Sequence, residues 1–80
     1  ASPDLIVEVI SPPHGWGALL VKVGEYLRAG VRAVVVLDVE TSTAAVYRPD
    51  VAPEYLREAD TLTLPDVLPG FSVPVARLFE

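Results

Sequence analysis

The chain has 80 residues, 51% of them apolar, and a formal net charge of −5. This length allows one small domain with a modest core, and the absence of cysteine excludes disulfides and thiolate chemistry. No segment approaches the roughly 20 apolar residues of a membrane span and no signal peptide is visible, so we expect a cytoplasmic protein without membrane partners.

The first predicted element is a strand over residues 4–10, within "PDLIVEVISP". Apolar residues point to both of its faces, which is typical of a central strand that is covered on two sides. Glu8 interrupts this apolar run, and an ionised carboxylate is seldom buried without a partner. Asp4 would lie on the same face, but at the usual rise its Cα atom is about 13 Å from that of Glu8, too far to share one metal ion comfortably. Glu8 therefore needs a partner from another element.

The next predicted element is a helix over residues 17–29, after the loop "SPPHGWG" with its two prolines and two glycines. Its apolar residues fall within one arc: Leu19, Leu20, Val23, Tyr26 and Leu27. Lys22 lies about 40° outside Tyr26, at the edge of that arc. A lysine at this position can bury its stem and extend its ammonium toward the C-terminal half of the preceding strand. We therefore expect Lys22 to be the partner of Glu8.

The remaining predicted elements are mostly strands. They are a buried central strand over residues 31–39, its hairpin partner over 44–48, a fourth strand over 54–58, an irregular region with one short strand near Leu62, and a terminal helical turn from Pro74. Strand, helix and strand with short connections predict a βαβ unit with parallel strands. The fold class is therefore α+β with an α/β core and a mixed sheet, in a single domain over residues 1–80. Since one helix covers one face, we expect the other face to meet chain outside these residues or a second copy.

A carboxylate and a lysine at the carboxyl end of a strand allow two interpretations. In metal-assisted hydrolysis, Glu8 holds Mg²⁺ while Lys22 orients or activates the attacking water and offsets negative charge. The alternative is a semi-buried ion pair, or two unrelated charges, without a catalytic role. Residue spacing alone favours the alternative. The acidic net charge likewise does not favour nucleic-acid binding, although metal-dependent nucleases carry acidic sites.

Four segments in order, "PDLIVEVISP", "LLVKVGEYLRAGV", "VVVLDVET" and "DVLPGF", resemble the C-terminal half of the Uma-type putative restriction endonucleases. This family belongs to the PD-(D/E)xK nuclease superfamily, and the resemblance implies a restriction-endonuclease-like fold, DNA as partner and Mg²⁺ or Mn²⁺ as cofactor. Glu8 matches the (D/E) of the motif. The motif lysine would stand at Ile10, but in this family it is thought to have moved to the helix, where Lys22 stands. The metal-binding Asp comes from a strand further upstream, which leaves Asp4 as a secondary candidate.

The resemblance thus implies that residues 1–80 are the C-terminal fragment of a larger nuclease-like domain, and the absence of methionine agrees with a fragment. We expect the C-terminal core of a metal-dependent DNA endonuclease, inactive as this fragment, with Glu8 and Lys22 as catalytic residues and Glu8 as the metal ligand. Glu25 is a further secondary candidate. The alternative is a catalytically degenerate nuclease-like fold that acts as a structural or dimerisation module. A homodimer is the expected assembly.

Four other residues have simpler interpretations. His14, a single loop histidine, is expected to be solvent-exposed, and Asp38 at a strand end is expected to start the following turn. Tyr26 is expected in the core, and Trp16 is expected to pack at the start of the helix. The family more often has small or polar residues and an acid where this chain has Pro13 and His14.

Overall fold

The computed structural model describes residues 2–11 and 15–80. The elements in chain order are β1 (Leu5–Ile10), α1 (Trp16–Arg28), β2 (Ala33–Asp38), β3 (Thr43–Tyr47), β4 (Glu54–Leu56), β5 (Thr61–Leu64), β6 (Leu68–Pro74) and a terminal 3-10 helix (Val75–Phe79). The first five elements are confirmed, with each end within two residues of its predicted position. Neither α1 nor the 3-10 helix, the helices of the described residues, is long and apolar enough to cross a membrane.

The main sheet has the strand order β1-β2-β3-β4, with β1 and β2 parallel and the other pairs antiparallel. This confirms the predicted βαβ unit, the hairpin and the α+β fold class. β2 is a central strand as predicted, but β1 lies at an edge of the sheet that the described residues form. Within this sheet, the prediction that β1 is a central strand covered on both faces is wrong. Its side chains Val7 and Val9 are 53% and 64% exposed. An apolar run on both faces indicates burial, but it does not fix the order of strands.

The helix α1 covers one face of the sheet and brings Lys22 beside β1. Its inward side packs in an apolar cluster whose buried members are Ile10, Val23, Val31, Val34, Val36 and Ala45. The helix ends at Arg28, which complements the helix dipole, and the predicted left-handed residue follows it: Gly30 has φ +106°, a conformation that favours glycine. This turn leads directly into β2, so α1 is held antiparallel to the two strands that it connects.

The chain's own C-terminal segment covers the central strands of the opposite face. β5 and β6 form an antiparallel hairpin with an irregularity at Thr63 and Leu64, and the 3-10 helix follows it. The buried members of this second cluster are Val35, Ala44, Val46, Leu62, Leu64 and Val75. The short strand predicted near Leu62 is confirmed as β5 and the helical turn predicted from Pro74 is confirmed as the 3-10 helix, but the second strand of the hairpin, β6, was not predicted. That this face meets other chain or a second copy stays a prediction, because Val7 and Val9 of β1 on the same face are exposed. Prolines such as Pro69 and Pro74 suggested loops, but both strands of a two-stranded ribbon are edges, where proline is tolerated.

Candidate active site

Glu8 lies in the C-terminal half of β1, on the face that α1 covers. Its neighbours on that face, Ile6 and Ile10, pack in the helix-side cluster, because side chains two apart in a strand share one face. Glu8 is paired in register with Val36 of β2, and its side chain is 21% exposed. The carboxylate is therefore partly withdrawn from water at the edge of the sheet, where a partner reduces the cost of its charge.

The predicted contact between Glu8 and Lys22 is present. The Lys22 Nζ atom lies 3.3 Å from Glu8 Oε1, and the lysine side chain is 54% exposed. The hydrogen bond to Glu8 and the negative charge of that carboxylate raise the pKa of Lys22 above its ordinary value. The ammonium is therefore protonated near neutral pH. It can donate hydrogen bonds and offset negative charge.

Tyr26 is the third member of this site, and sequence reasoning assigned it only to the core. It does pack against the helix-side cluster, but its hydroxyl group also donates to Glu8 Oε1 at 3.2 Å. The Lys22 Nζ atom lies 5.9 Å from the centre of the Tyr26 ring, within the range of a cation–π contact. The sequence signal was the spacing: residues four apart on a helix are neighbours on its surface. We call Glu8, Lys22 and Tyr26 the Glu8 cluster.

The Glu8 cluster has the chemistry of part of a metal site, since it contains one carboxylate that can bind a metal ion. Mg²⁺ is usually bound through one or two carboxylates together with waters and substrate phosphates, and Glu8 supplies one such carboxylate. Within residues 2–11 and 15–80, no three His, Cys, Asp or Glu side chains come together as they would around a metal ion. A cation at Glu8 would therefore need other ligands besides those that the described residues supply.

The two secondary candidates are not joined to this cluster. Asp4 is exposed before β1, and its main-chain carbonyl oxygen accepts the N–H groups of Arg32 and Ala33 at 3.1 and 3.2 Å. Glu25 is exposed on α1. Across the described part of the chain, no hydrogen bond or ion pair links either carboxylate to Glu8 or Lys22.

Asp38 ties the end of β2 to the start of α1. Its Oδ1 atom accepts the backbone N–H groups of Glu40 and Thr41 at 3.0 and 3.4 Å, which confirms its predicted role as the start of a turn. Its Oδ2 atom accepts a hydrogen bond of 3.3 Å from the indole Nε1–H of Trp16, so Trp16 does lie at the helix start. His14 lies outside the described residues.

A second charged group joins the sheet to the C-terminal hairpin, and sequence reasoning did not find it. Arg48 follows β3 and donates from Nε and Nη2 to the two carboxylate oxygens of Asp66, at 3.0 and 3.3 Å. Its Nη1 atom also lies 3.5 Å from Glu54 Oε1. The hydrogen bonds from Arg48 hold the pKa of Asp66 below its ordinary value. We call Arg48, Glu54 and Asp66 the Arg48 cluster.

Comparison with known proteins points to one family and one fold. The family model described as "Uma2: Putative restriction endonuclease" matches residues 1–76. The structure is similar to the crystal structure of a putative nuclease of DUF820 from Anabaena variabilis, with a TM-score of 0.86 and 22% sequence identity. That match covers 98% of this chain and 44% of the other, so the chain spans less than half the length of that protein. Among curated proteins there is no match.

Proposed function

Because the chain belongs to the Uma2 family of putative restriction endonucleases, we propose that it contributes part of the active site of a nuclease that hydrolyses DNA with Mg²⁺ or Mn²⁺. The observation that supports this proposal is the contact of 3.3 Å between Glu8 and Lys22. This contact brings a carboxylate and an ammonium together at the C-terminal half of a parallel strand, where open α/β sheets carry their sites. Phosphodiester hydrolysis needs both charges, one to hold a cation and one to face the phosphate.

Each residue has a distinct role in this proposal. Glu8 is one ligand of the metal ion, which when bound supplies Lewis-acid polarisation of a phosphoryl oxygen. Lys22 places a protonated ammonium where negative charge develops on the phosphate, and it can donate a hydrogen bond to a phosphate oxygen or to the attacking water. The hydrogen bond and the negative charge of Glu8 raise the pKa of Lys22, which agrees with a cationic role.

We further propose that the other metal ligands come from outside residues 1–80. Two observations support this: the described residues bring no three metal-binding side chains together, and the chain spans 44% of the solved nuclease that it resembles. Residues 1–80 by themselves are then inactive, and DNA cleavage is a property of the full-length protein.

The test is a nicking assay on supercoiled plasmid with Mg²⁺, comparing the full-length protein with its Glu8→Gln variant. Loss of a metal-binding carboxylate is expected to reduce the rate by about 100-fold or more. Glu58→Gln, the same chemical change at an exposed residue between β4 and β5, is the matched control and keeps the wild-type rate. Full activity in Glu8→Gln would falsify the assignment.

A second candidate function, a dimerisation module, is favoured by the exposed edge of β1. In the described part of the chain, this strand is paired on one side only, and Val7 and Val9 are exposed. An unpaired apolar edge is a template for strand pairing with another chain. Sedimentation equilibrium of the full-length protein tests this function. We expect the wild type to be a dimer and Val9→Lys to be a monomer. A wild type that is monomeric at every concentration would refute the dimerisation role.

A further inference from the structure

Tyr26 contacts both charged members of the Glu8 cluster. Its hydroxyl group and the Lys22 ammonium reach the same oxygen, Glu8 Oε1, at 3.2 and 3.3 Å. Its ring also lies beneath that ammonium, with 5.9 Å between the Nζ atom and the ring centre. Both other side chains are long and have several rotatable bonds, so neither the carboxylate nor the ammonium has a fixed position by itself.

Tyr26 is better anchored than the two residues that it contacts. Its ring packs against the helix-side apolar cluster, and the N–H groups of Ala29 and Val31 bond to its main-chain carbonyl oxygen at the end of α1. A tyrosine in such a position has an apolar body held by packing and one polar tip that needs a partner. Here the polar tip is the hydroxyl group that donates to Glu8, so a side chain held by core packing also holds the carboxylate.

We propose that Tyr26 is a positioning residue for the nuclease site, an inference that rests on the proposed function. Its hydroxyl group holds one carboxylate oxygen of Glu8, so that the other oxygen is presented to the metal ion, and its ring keeps the Lys22 ammonium beside that carboxylate. Carboxylates that bind metal ions are commonly held by such hydrogen bonds, and loss of the holding group typically weakens metal affinity or activity by about 10- to 100-fold.

The test uses the full-length protein with Tyr26→Phe, which removes the hydroxyl group and keeps the ring and its packing. Tyr55→Phe is the matched control, since Tyr55 is an exposed tyrosine of β4 on the sheet edge opposite β1. Titration calorimetry with Mg²⁺ is expected to show an affinity about 10- to 100-fold weaker in Tyr26→Phe and unchanged in Tyr55→Phe. In the nicking assay, raising the Mg²⁺ concentration restores most of the rate of Tyr26→Phe but none of the rate of Glu8→Gln.

A second measurement needs no metal ion. NMR couplings of the Glu8 side chain, assigned by comparison with Glu8→Gln, are expected to show one dominant rotamer in the wild type and in Tyr55→Phe. In Tyr26→Phe they are expected to average over several rotamers, while urea denaturation shows a similar free energy of unfolding for all three proteins.

The outcomes separate this inference from the proposed function. Unchanged Mg²⁺ affinity and an unchanged Glu8 rotamer in Tyr26→Phe would overturn the positioning role, even if the wild type cleaves DNA. A wild type that neither binds Mg²⁺ nor cleaves DNA overturns the proposed function and with it the metal-site role of Tyr26. In that case a Glu8 rotamer that is lost in Tyr26→Phe still shows that Tyr26 positions Glu8.

Discussion

The Glu8 cluster and the Arg48 cluster both join a carboxylate to a cation from another element, but they are built differently. Arg48 meets Asp66 through two parallel hydrogen bonds, and its side chain is 24% exposed. Lys22 meets Glu8 through a single contact and is more than half exposed. A guanidinium fixes the geometry of a carboxylate, whereas an ammonium on a flexible stem can change partner when a ligand arrives.

Their places in the fold differ in the same way. The Arg48 cluster links the end of β3 to Asp66 in the turn between β5 and β6, so it fastens the second layer to the sheet. The Glu8 cluster lies at the edge strand β1 and joins it only to α1, which already follows it in the chain. We therefore expect the Arg48 cluster to carry stability and the Glu8 cluster to carry function, and four substitutions test this division.

The largest loss of stability is expected for Arg48→Met. It removes both carboxylate contacts and leaves the part-buried Asp66 without its partner, so the free energy of unfolding should fall by about 1–3 kcal/mol. Urea denaturation at pH 7 measures the change, with Arg57→Met, at an exposed arginine, as the control. Equal losses in the two variants would mean that the Arg48 cluster does not fasten the hairpin.

Asp66→Asn is expected to lower the free energy of unfolding by less, about 1 kcal/mol at pH 7, because Arg48 keeps its ion pair with Glu54. The pKa of Asp66 is lowered in the folded state by the hydrogen bonds from Arg48. Its stabilising effect is therefore fully present above the ordinary aspartate pKa near 3.9 and is lost as the pH falls through the lower, folded-state pKa. Urea denaturation at pH 7, 5 and 3 should show a difference from wild type that is constant between pH 7 and 5 and narrows at pH 3. A difference that widens toward acid would contradict the pairing.

Glu54→Gln should have a smaller effect, below about 0.5 kcal/mol. The contact of Glu54 with Arg48 is longer, at 3.5 Å, and its side chain is largely exposed. The same denaturation experiment decides whether the bidentate bond to Asp66 dominates the Arg48 cluster. A loss as large as that of Asp66→Asn would show that the three charges act as one network.

The smallest effect on stability is expected for Lys22→Met, although it should abolish DNA nicking by the full-length protein. The ammonium is exposed and the methionine keeps most of the apolar stem, so the urea midpoint should stay within experimental error. A midpoint shift comparable with that of Asp66→Asn, with nicking retained, would make the Glu8–Lys22 pair a structural ion pair.

Hydrophobic periodicity was sufficient to predict the βαβ unit, and a helical wheel was sufficient to bring Lys22 to Glu8. Both depend on residues that are close in the chain. Tyr26 was missed as a site residue because its ring belongs to the apolar arc while only its tip is polar. The position of a hydroxyl group 3.2 Å from a carboxylate depends on how closely α1 packs on β1, which no spacing rule specifies.

The structure of the C-terminal half was harder to predict, because its contacts join residues that are far apart in the chain and its strands contain residues typical of loops. Arg48 and Asp66 are separated by 18 positions and meet only through the docking of the hairpin on the sheet. In Thr61–Leu64 the alternation of exposed threonine and buried leucine did signal a half-buried strand, but the surrounding prolines and Gly70 obscured its partner β6.

The central strand β2 belongs to both apolar clusters at once. Val34 and Val36 pack under α1, while Val35 between them packs under the hairpin, and all three are essentially inaccessible to solvent. Neither layer can separate from the sheet without exposing a side of this strand, so the two halves of the molecule should unfold in one cooperative transition. The amide protons of these three valines should then exchange with solvent only through global opening, and their exchange rates would report the stability of the whole domain.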